Sequence, residues 1–183
     1  MYQPHYTLSG DRSLPPLVFL HGWMGCCEDY ALVIELLKSR YYCISIDLPG
    51  HGKTTMVGDD RGYEFISTAL GIIRLLDSLS IDRCTLYGYS FGGRLALYLG
   101  LEFIGRFDRI ILESTSPGLA TIDEREARII QDDRIVDRLS TENFSTFINT
   151  WYQQPIFTGI EKHSAFDRLI QRRLNNQPAN LAK

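Results

Sequence analysis

The sequence predicts an α/β protein: a mostly parallel sheet with helices on both faces, continued by a segment made only of helices. Three observations lead there. Short β-rich runs alternate with helical patterns between about residue 5 and residue 114, the pattern of crossover-connected parallel strands. Within that region Phe65, Ala69, Ile72, Ile73 and Leu76 recur at helical spacing, so 63–79 carries one apolar stripe for docking on a sheet. Beyond Leu119 no β-rich run returns, and 122–139, 142–150 and 161–174 all read as charge-dotted amphipathic helices. The expected division is a core over 1–118 and a helical cap over 119–183.

Four strands are expected: Leu17 to Leu20 running into His21-Gly22, Tyr41 to Leu48 into Pro49-Gly50, Arg83 to Gly88 ending at Ser90, and Arg109 to Glu113 into Ser114-Thr115-Ser116-Pro117-Gly118. A sheet built by such crossovers gathers its functional loops at the carboxyl ends of its strands, where these turns lie. Pro155, Gly159 and Pro178 punctuate the helical part, and nothing repeats at a fixed period.

Composition limits the function classes. The 183 residues are 44% hydrophobic and 22% charged, the balance of a folded domain. A chain of this size buries roughly 70% of its unfolded surface, enough to dispense with disulfides or a structural metal. Lys plus Arg number 19 against 22 Asp plus Glu, a formal charge of -3, and no basic stripe suits a phosphate backbone, so nucleic acid is not an expected partner. Apolar runs such as Leu17–Leu20 and Ala31–Ile34 are far shorter than the roughly 18 residues of a membrane span. Met1-Tyr2-Gln3-Pro4-His5 lacks the features of an export signal, and a cytoplasmic location is expected. Cys26, Cys27, Cys43 and Cys84 lack metal or redox spacing and are read as thiols. No metal or organic cofactor is expected.

Gly88-Tyr89-Ser90-Phe91-Gly92 matches G-x-S-x-G. The match alone is weak, but an apolar strand leads in and a helical pattern leads out, the setting in which such a serine is thrust from a strained turn. The helix beginning there aims its free N–H groups and positive end at the same spot. Phe91 N–H is one candidate oxyanion donor, and Trp23 N–H, in the His21-Gly22-Trp23 loop after an earlier strand, is the second. Each motif alone is better read as a buried strand followed by a glycine turn; in order, they point to an oxyanion site.

With Asp47-Leu48-Pro49-Gly50-His51-Gly52 after the next strand, the chain resembles the α/β-hydrolase fold family, in which that turn is structural and His51 is not the catalytic base. Longer stretches are more specific: 88–97, Glu113-Ser114-Thr115-Ser116-Pro117-Gly118-Leu119, Glu126-Ala127-Arg128 and Trp151-Tyr152-Gln153-Gln154-Pro155-Ile156-Phe157. They resemble the 2-succinyl-6-hydroxy-2,4-cyclohexadiene-1-carboxylate synthases of menaquinone and phylloquinone biosynthesis. That resemblance implies a lyase eliminating pyruvate from an enolpyruvyl cyclohexene with three carboxylates, Ser90 acting as base and the oxyanion donors holding an enolate. It also implies a substrate pocket drawing on Tyr89, Arg94, Arg128, Trp151 and Tyr152. From chemistry alone, Arg94 one helical turn after Ser90 suits an anion. Arg128 is as readily a surface ion-pairing residue, as Arg125 and Arg134 are read to be, and Trp151, Tyr152 and Tyr89 are as readily packing residues.

The pattern breaks where the family's late acid and histidine belong. The one histidine after Ser90 is His163, in a helical stretch, and the later aspartates are helical too. The expectation is a chain lacking the C-terminal strands, with little synthase activity of its own. A carboxylester hydrolase of the same fold and a non-catalytic remnant are the alternatives.

Overall fold

A computed structural model describes residues 2–56 and 59–183; Met1, the first residue of the stretch read for an export signal, lies outside the described residues, as do Val57 and Gly58. The chain divides into two compact units, Met1–Gly118 and Leu119–Lys183.

The first unit runs β1 (Tyr2–Gln3), β2 (Tyr6–Ser9), β3 (Pro16–Leu20), α1 (Ala31–Leu37), β4 (Tyr42–Ile46), β5 (Thr55–Met56), α2 (Phe65–Ser78), β6 (Cys84–Tyr89), α3 (Phe91–Glu102) and β7 (Phe107–Glu113). Five strands form the main sheet in the order β2-β4-β3-β6-β7, and β1 pairs with β5 apart from it. The β4-β3-β6-β7 pairings are parallel, and β2 joins β4 antiparallel.

Apolar runs with little alternation suit strands covered on both faces. Val18 and Leu20, Ile44 and Ile46, and Leu86 pack with Ile72, Leu76, Leu95 and Leu99 of α2 and α3. The intervening Leu17, Phe19 and Cys43 turn the other way onto Tyr30 and Ile34, as the two-residue period of a strand requires. Helices therefore cover both faces, as the sequence predicts. The helix expected over 63–79 is shorter, because Asp60–Tyr63 forms a tight 3-10 turn and Glu64 is extended.

Four elements of the first unit, β1, β2, β5 and α1, are not among those expected. β2 is antiparallel, and its half-exposed Tyr-Thr-Leu-Ser lacks an apolar run that marks a strand. α1 has only Ile34 buried, while Leu32 and Leu36 are about three-quarters exposed, so its apolar residues trace no stripe.

The second unit contains α4 (Ile122–Thr141), α5 (Phe144–Trp151), α6 (Phe166–Leu174) and α7 (Pro178–Leu181), with no strand among its described residues. α5 starts two residues later than its charge pattern suggests because the Asn143 side chain caps it, accepting from the Ser145 and Thr146 N–H groups. The helix expected over 161–174 begins instead as a 3-10 turn at Ile160–Lys162 that follows left-handed Gly159, is broken by extended His163, and becomes α-helical only at Phe166. No helix among the described residues is long and apolar enough to cross a membrane.

Candidate active site at the strand-to-helix elbow

Ser90 follows β6 and caps α3 with φ 51 and ψ -112, a left-handed backbone that costs a residue with a Cβ on the order of 1–2 kcal/mol. The surroundings hold it there. Its N–H donates to the Glu113 carbonyl at 2.9 Å, its carbonyl accepts from Arg94 N–H at 3.1 Å, and the Thr115 hydroxyl lies 3.4 Å from that carbonyl and 2.9 Å from that of Glu113.

The glycines are steric necessities. A Cβ at Gly88 would stand 2.5 Å from the Gly92 carbonyl oxygen, one at Gly92 2.3 Å from that of Leu20, and one at Gly93 1.8 Å from the Thr115 hydroxyl. β6, α3 and the loop after β3 are thus packed backbone to backbone. The half-buried serine sits at the start of α3, where the first-turn N–H groups of Phe91, Gly92 and Gly93 have no intrahelical partner.

The loop after β3 abuts the elbow. A Cβ on Gly22 would come within 3.4 Å of the Ser90 Cβ and 2.8 Å of the Tyr89 ring. The loop is a tight turn in which Gly25 N–H donates to the Gly22 carbonyl at 2.8 Å and Met24 takes φ 62; Trp23 lies inside it. Buried His21 fixes this turn. Its Nε2 accepts from Leu48 N–H at 3.0 Å, so Nδ1 carries the proton and donates to the Gly22 carbonyl at 2.8 Å. In the sequence His21 stands only as part of a strand-ending motif, and its place directly after β3 is the available signal.

His51 is buried in the turn after β4, its Nδ1 on the Pro49 carbonyl at 2.8 Å and its ring 5.1 Å from that of His21. Among the described residues no imidazole is hydrogen-bonded to the Ser90 hydroxyl. His163 accepts from Ala165 N–H through Nδ1, so it caps its own turn.

Of the expected anion-binding groups, Arg94 is half-buried with its guanidinium carbon 5.5 Å from the centre of the Phe91 ring. Tyr89 is 38% exposed at the mouth of the elbow. In the second unit Arg128 is exposed and ion-paired to Asp132 at 2.7 Å, the surface pairing that the charge pattern also allowed. Trp151 and Tyr152 join an aromatic cluster with Phe147, Phe157 and Phe166, at centroid separations of 4.9 to 6.4 Å. Arg173 donates to the Tyr152 hydroxyl.

Asp47 organises the loops beneath. Its buried carboxylate accepts Cys27 N–H at 2.6 Å, Lys53 N–H at 2.9 Å and His5 Nδ1 at 2.7 Å. Burial alone would raise its pKa, but the donated N–H groups outweigh it and the net shift is downward. His5, Cys27 and Asp47 thus form a His-Cys-carboxylate trio, with atoms within 4.8 Å of one another, that sequence spacing gave no hint of. Burial, with Asp47 beside it, pushes the Cys27 thiol far up; the thiol stays protonated and donates to the Ser45 carbonyl at 3.0 Å. A cleft of about 400 Å³ lined by Arg12, Pro16, Tyr42 and Arg83 opens at the opposite ends of the strands, so it takes no part in the elbow.

A strained serine at a strand-to-helix turn, glycines where backbones touch and a loop pressed against that serine define a class, and the sequence profile of the alpha/beta hydrolase fold matches residues 15–182. The chain belongs to the α/β-hydrolase fold family. Within it, the chain is 34% identical to the 2-succinyl-6-hydroxy-2,4-cyclohexadiene-1-carboxylate synthase of Escherichia coli strain K12, over 94% of this chain and 67% of the relative. It is equally similar to the enzyme of the same name from Shigella dysenteriae, at 34% over 96% of this chain and 68% of the relative. Among solved structures, MenH from S. aureus superposes with a TM-score of 0.88 at 31% identity, covering 99% of this chain and 68% of that one. A carboxylesterase from Nitrososphaera gargenis superposes at 0.81 with 24% identity, a likeness of fold. The chain spans about two thirds of the length of the curated relatives it matches.

Proposed function

We propose that this chain carries the lyase chemistry of its synthase relatives. Pyruvate is eliminated from 2-succinyl-5-enolpyruvyl-6-hydroxy-3-cyclohexene-1-carboxylate to give 2-succinyl-6-hydroxy-2,4-cyclohexadiene-1-carboxylate, in menaquinone or phylloquinone biosynthesis. One observation carries the reading: Ser90 held at φ 51 at the head of α3 and against Gly22, in a chain 34% identical to a synthase.

The Ser90 oxygen takes a ring proton. The electron pair of that C–H bond passes into an enolate beside the succinyl carbonyl, whose oxygen is held by Trp23 and Phe91 N–H. Collapse of the enolate forms the new ring double bond and breaks the C–O bond to the enolpyruvyl group, which leaves and ketonises to pyruvate by taking up a proton. No acyl-enzyme forms. In the first unit Arg94 binds a carboxylate and Tyr89 meets the ring; Arg128, Trp151 and Tyr152 of the second unit carry the substrate-binding roles that the resemblance to the synthases implies. The partner is a small polycarboxylate met in the cytoplasm; the net charge of -3 argues against nucleic acid.

A serine hydroxyl becomes an effective base only when another group accepts its proton, and no imidazole bonds to Ser90 among the described residues. The 183-residue chain should therefore accelerate the reaction by roughly 10³–10⁴-fold over the uncatalysed rate, what a donor cradle and binding alone supply. The test incubates the chain with the enolpyruvyl substrate and follows pyruvate through lactate dehydrogenase. Ser90→Ala should leave most of this residual acceleration in place, because the unassisted hydroxyl supplies little of it, and Arg94→Met should raise KM more than it lowers kcat. No pyruvate above background, or a stoichiometric burst from an activated ester without pyruvate, would reject the lyase reading.

A further inference from the structure

The cleft at the amino ends of the strands, with its volume of about 400 Å³, falls within the roughly 300–1,000 Å³ of small-molecule sites. Tyr42, the first residue of β4, is part of its lining. Only 3% of this tyrosine is exposed, and its ring packs in the core beneath α2 and α3. Its hydroxyl, however, has no hydrogen-bond partner among the described residues. A buried hydroxyl without an acceptor destabilises the fold, and native proteins keep few of them. A phenylalanine would fill the same space without that penalty, so the hydroxyl calls for an acceptor supplied from the cleft.

We propose that this cleft is a second small-molecule site, separate from the elbow, and that it takes a small organic monocarboxylate. The carboxylate accepts hydrogen bonds from the Arg12 guanidinium and the Tyr42 hydroxyl, and the hydrocarbon part lies against Pro16, Leu79 and Ile81 of the lining. Arg12, in the turn between β2 and β3, donates through one nitrogen to the Leu79 carbonyl at 2.9 Å, which leaves most of its fork of donors for a ligand. Arg83 is ion-paired with Asp108 at 2.6 Å and adds its charge at the rim. The lining thus sets two arginines against one acid, Asp82, a balance that suits a monoanion and not a dianion such as phosphate. The wall opposite Arg12 is fixed in advance. α2 closes through Ser80 N–H on the Asp77 carbonyl and Ile81 N–H on the Leu76 carbonyl, both at 2.9 Å. Arg106 then donates to the Ile81 and Asp82 carbonyls, its own charge met by Asp77 at 2.7 Å. A site whose walls are held without the ligand loses little entropy on binding it.

The test titrates the 183-residue chain with benzoate, and separately with inorganic phosphate, following backbone amide resonances. Benzoate should shift Tyr42 and residues 79–83, and phosphate at the same concentration should not. Tyr42→Phe and Arg12→Met should each weaken benzoate about tenfold, the loss of one hydrogen bond to a charged group, whereas Arg94→Met at the elbow should leave these shifts unchanged. A second readout needs no ligand: Tyr42→Phe should unfold at a higher urea concentration than the parent chain, because it removes a buried hydroxyl without an acceptor, and benzoate should stabilise the parent more than the variant. Benzoate that leaves 79–83 unmoved, equal affinity in Tyr42→Phe, or phosphate bound as tightly as benzoate would overturn the proposal. So would a Tyr42→Phe chain that unfolds at lower urea, which would mean that the hydroxyl is satisfied within the protein by water.

Discussion

At the scale of single residues, the elbow is set by distances too short for any side chain. A Cβ at Gly92 would meet two backbone oxygens, Leu20 at 2.3 Å and His21 at 2.4 Å, and neither can move without dragging the loop that presses on Ser90. Gly105 is a control: its φ is 90, but nothing lies within 4 Å of an added Cβ. Gly92→Ala should cost about 1–3 kcal/mol in urea unfolding through overpacking and abolish pyruvate release. Gly105→Ala should cost about 1 kcal/mol of backbone strain and leave release unchanged. The thiols divide as sharply. Cys27, Cys43 and Cys84 are buried, and burial raises each of them, Cys84 to about 12; Cys26 is half-buried. Since the thiolate is the reactive form, a chromogenic disulfide should modify one cysteine quickly in the native protein and the other three only after denaturation, and Cys26→Ser should remove the fast phase.

At the scale of elements, sequence legibility followed burial. β3, β4 and β6 announced themselves because both faces are covered and their residues are nearly all apolar; β2, half in water, did not, and α1 was obscured by exposed Leu32 and Leu36. The elbow was legible because its chemistry is local: a glycine pattern between a strand and a helix. The Asp47 hub was not, because His5, Cys27, Asp47 and Lys53 are brought together by pairing of β2 with β4 and by two loops, a product of tertiary folding that no spacing encodes. Arg128, legible as a charge, resolved into a pair with Asp132. The helix caps, which the sequence reading does not draw on, are testable. Thr121 and Glu124 form a reciprocal capping box at the start of α4, each side chain bonding the other residue's N–H, and the Glu124 carboxyl is held below its usual pKa first by the Thr121 N–H. Thr121→Ala should cost the helix terminus about 1 kcal/mol, seen as roughly fivefold faster hydrogen exchange in the first turn of α4, with α5 and α6 unaffected. Equal acceleration throughout the helical unit would show that the cap matters to more than its own turn.

At the scale of the whole first unit, one carboxylate links segments far apart in sequence, and its ionisation sets how the fold meets acid. Asp47 at the end of β4 holds the start of the chain through His5, the turn after β3 through Cys27 N–H and the loop before β5 through Lys53 N–H, with only 2% of its surface exposed. Its folded pKa lies below the unfolded value. The unfolded chain therefore takes up this proton first as pH falls, so the carboxylate's stabilisation is fully present above about pH 4, the unfolded aspartate range, and is lost as pH drops toward the folded value. Asp11, Asp59, Glu124 and Glu142 are shifted the same way, but each stands in solvent, where screening leaves little energy in the shift. Urea unfolding repeated from about pH 6 to about pH 2 should show the midpoint falling mainly below about pH 4. Asp47→Asn should be less stable at neutral pH by on the order of 1–3 kcal/mol, since buried N–H donors lose a charged acceptor. Its midpoint should also decline less over the acid range, so the two curves converge at the lowest pH. Parallel curves would mean that the acid sensitivity resides in the surface carboxylates, and that the Asp47 hub contributes hydrogen bonds without the charge that the geometry assigns to it.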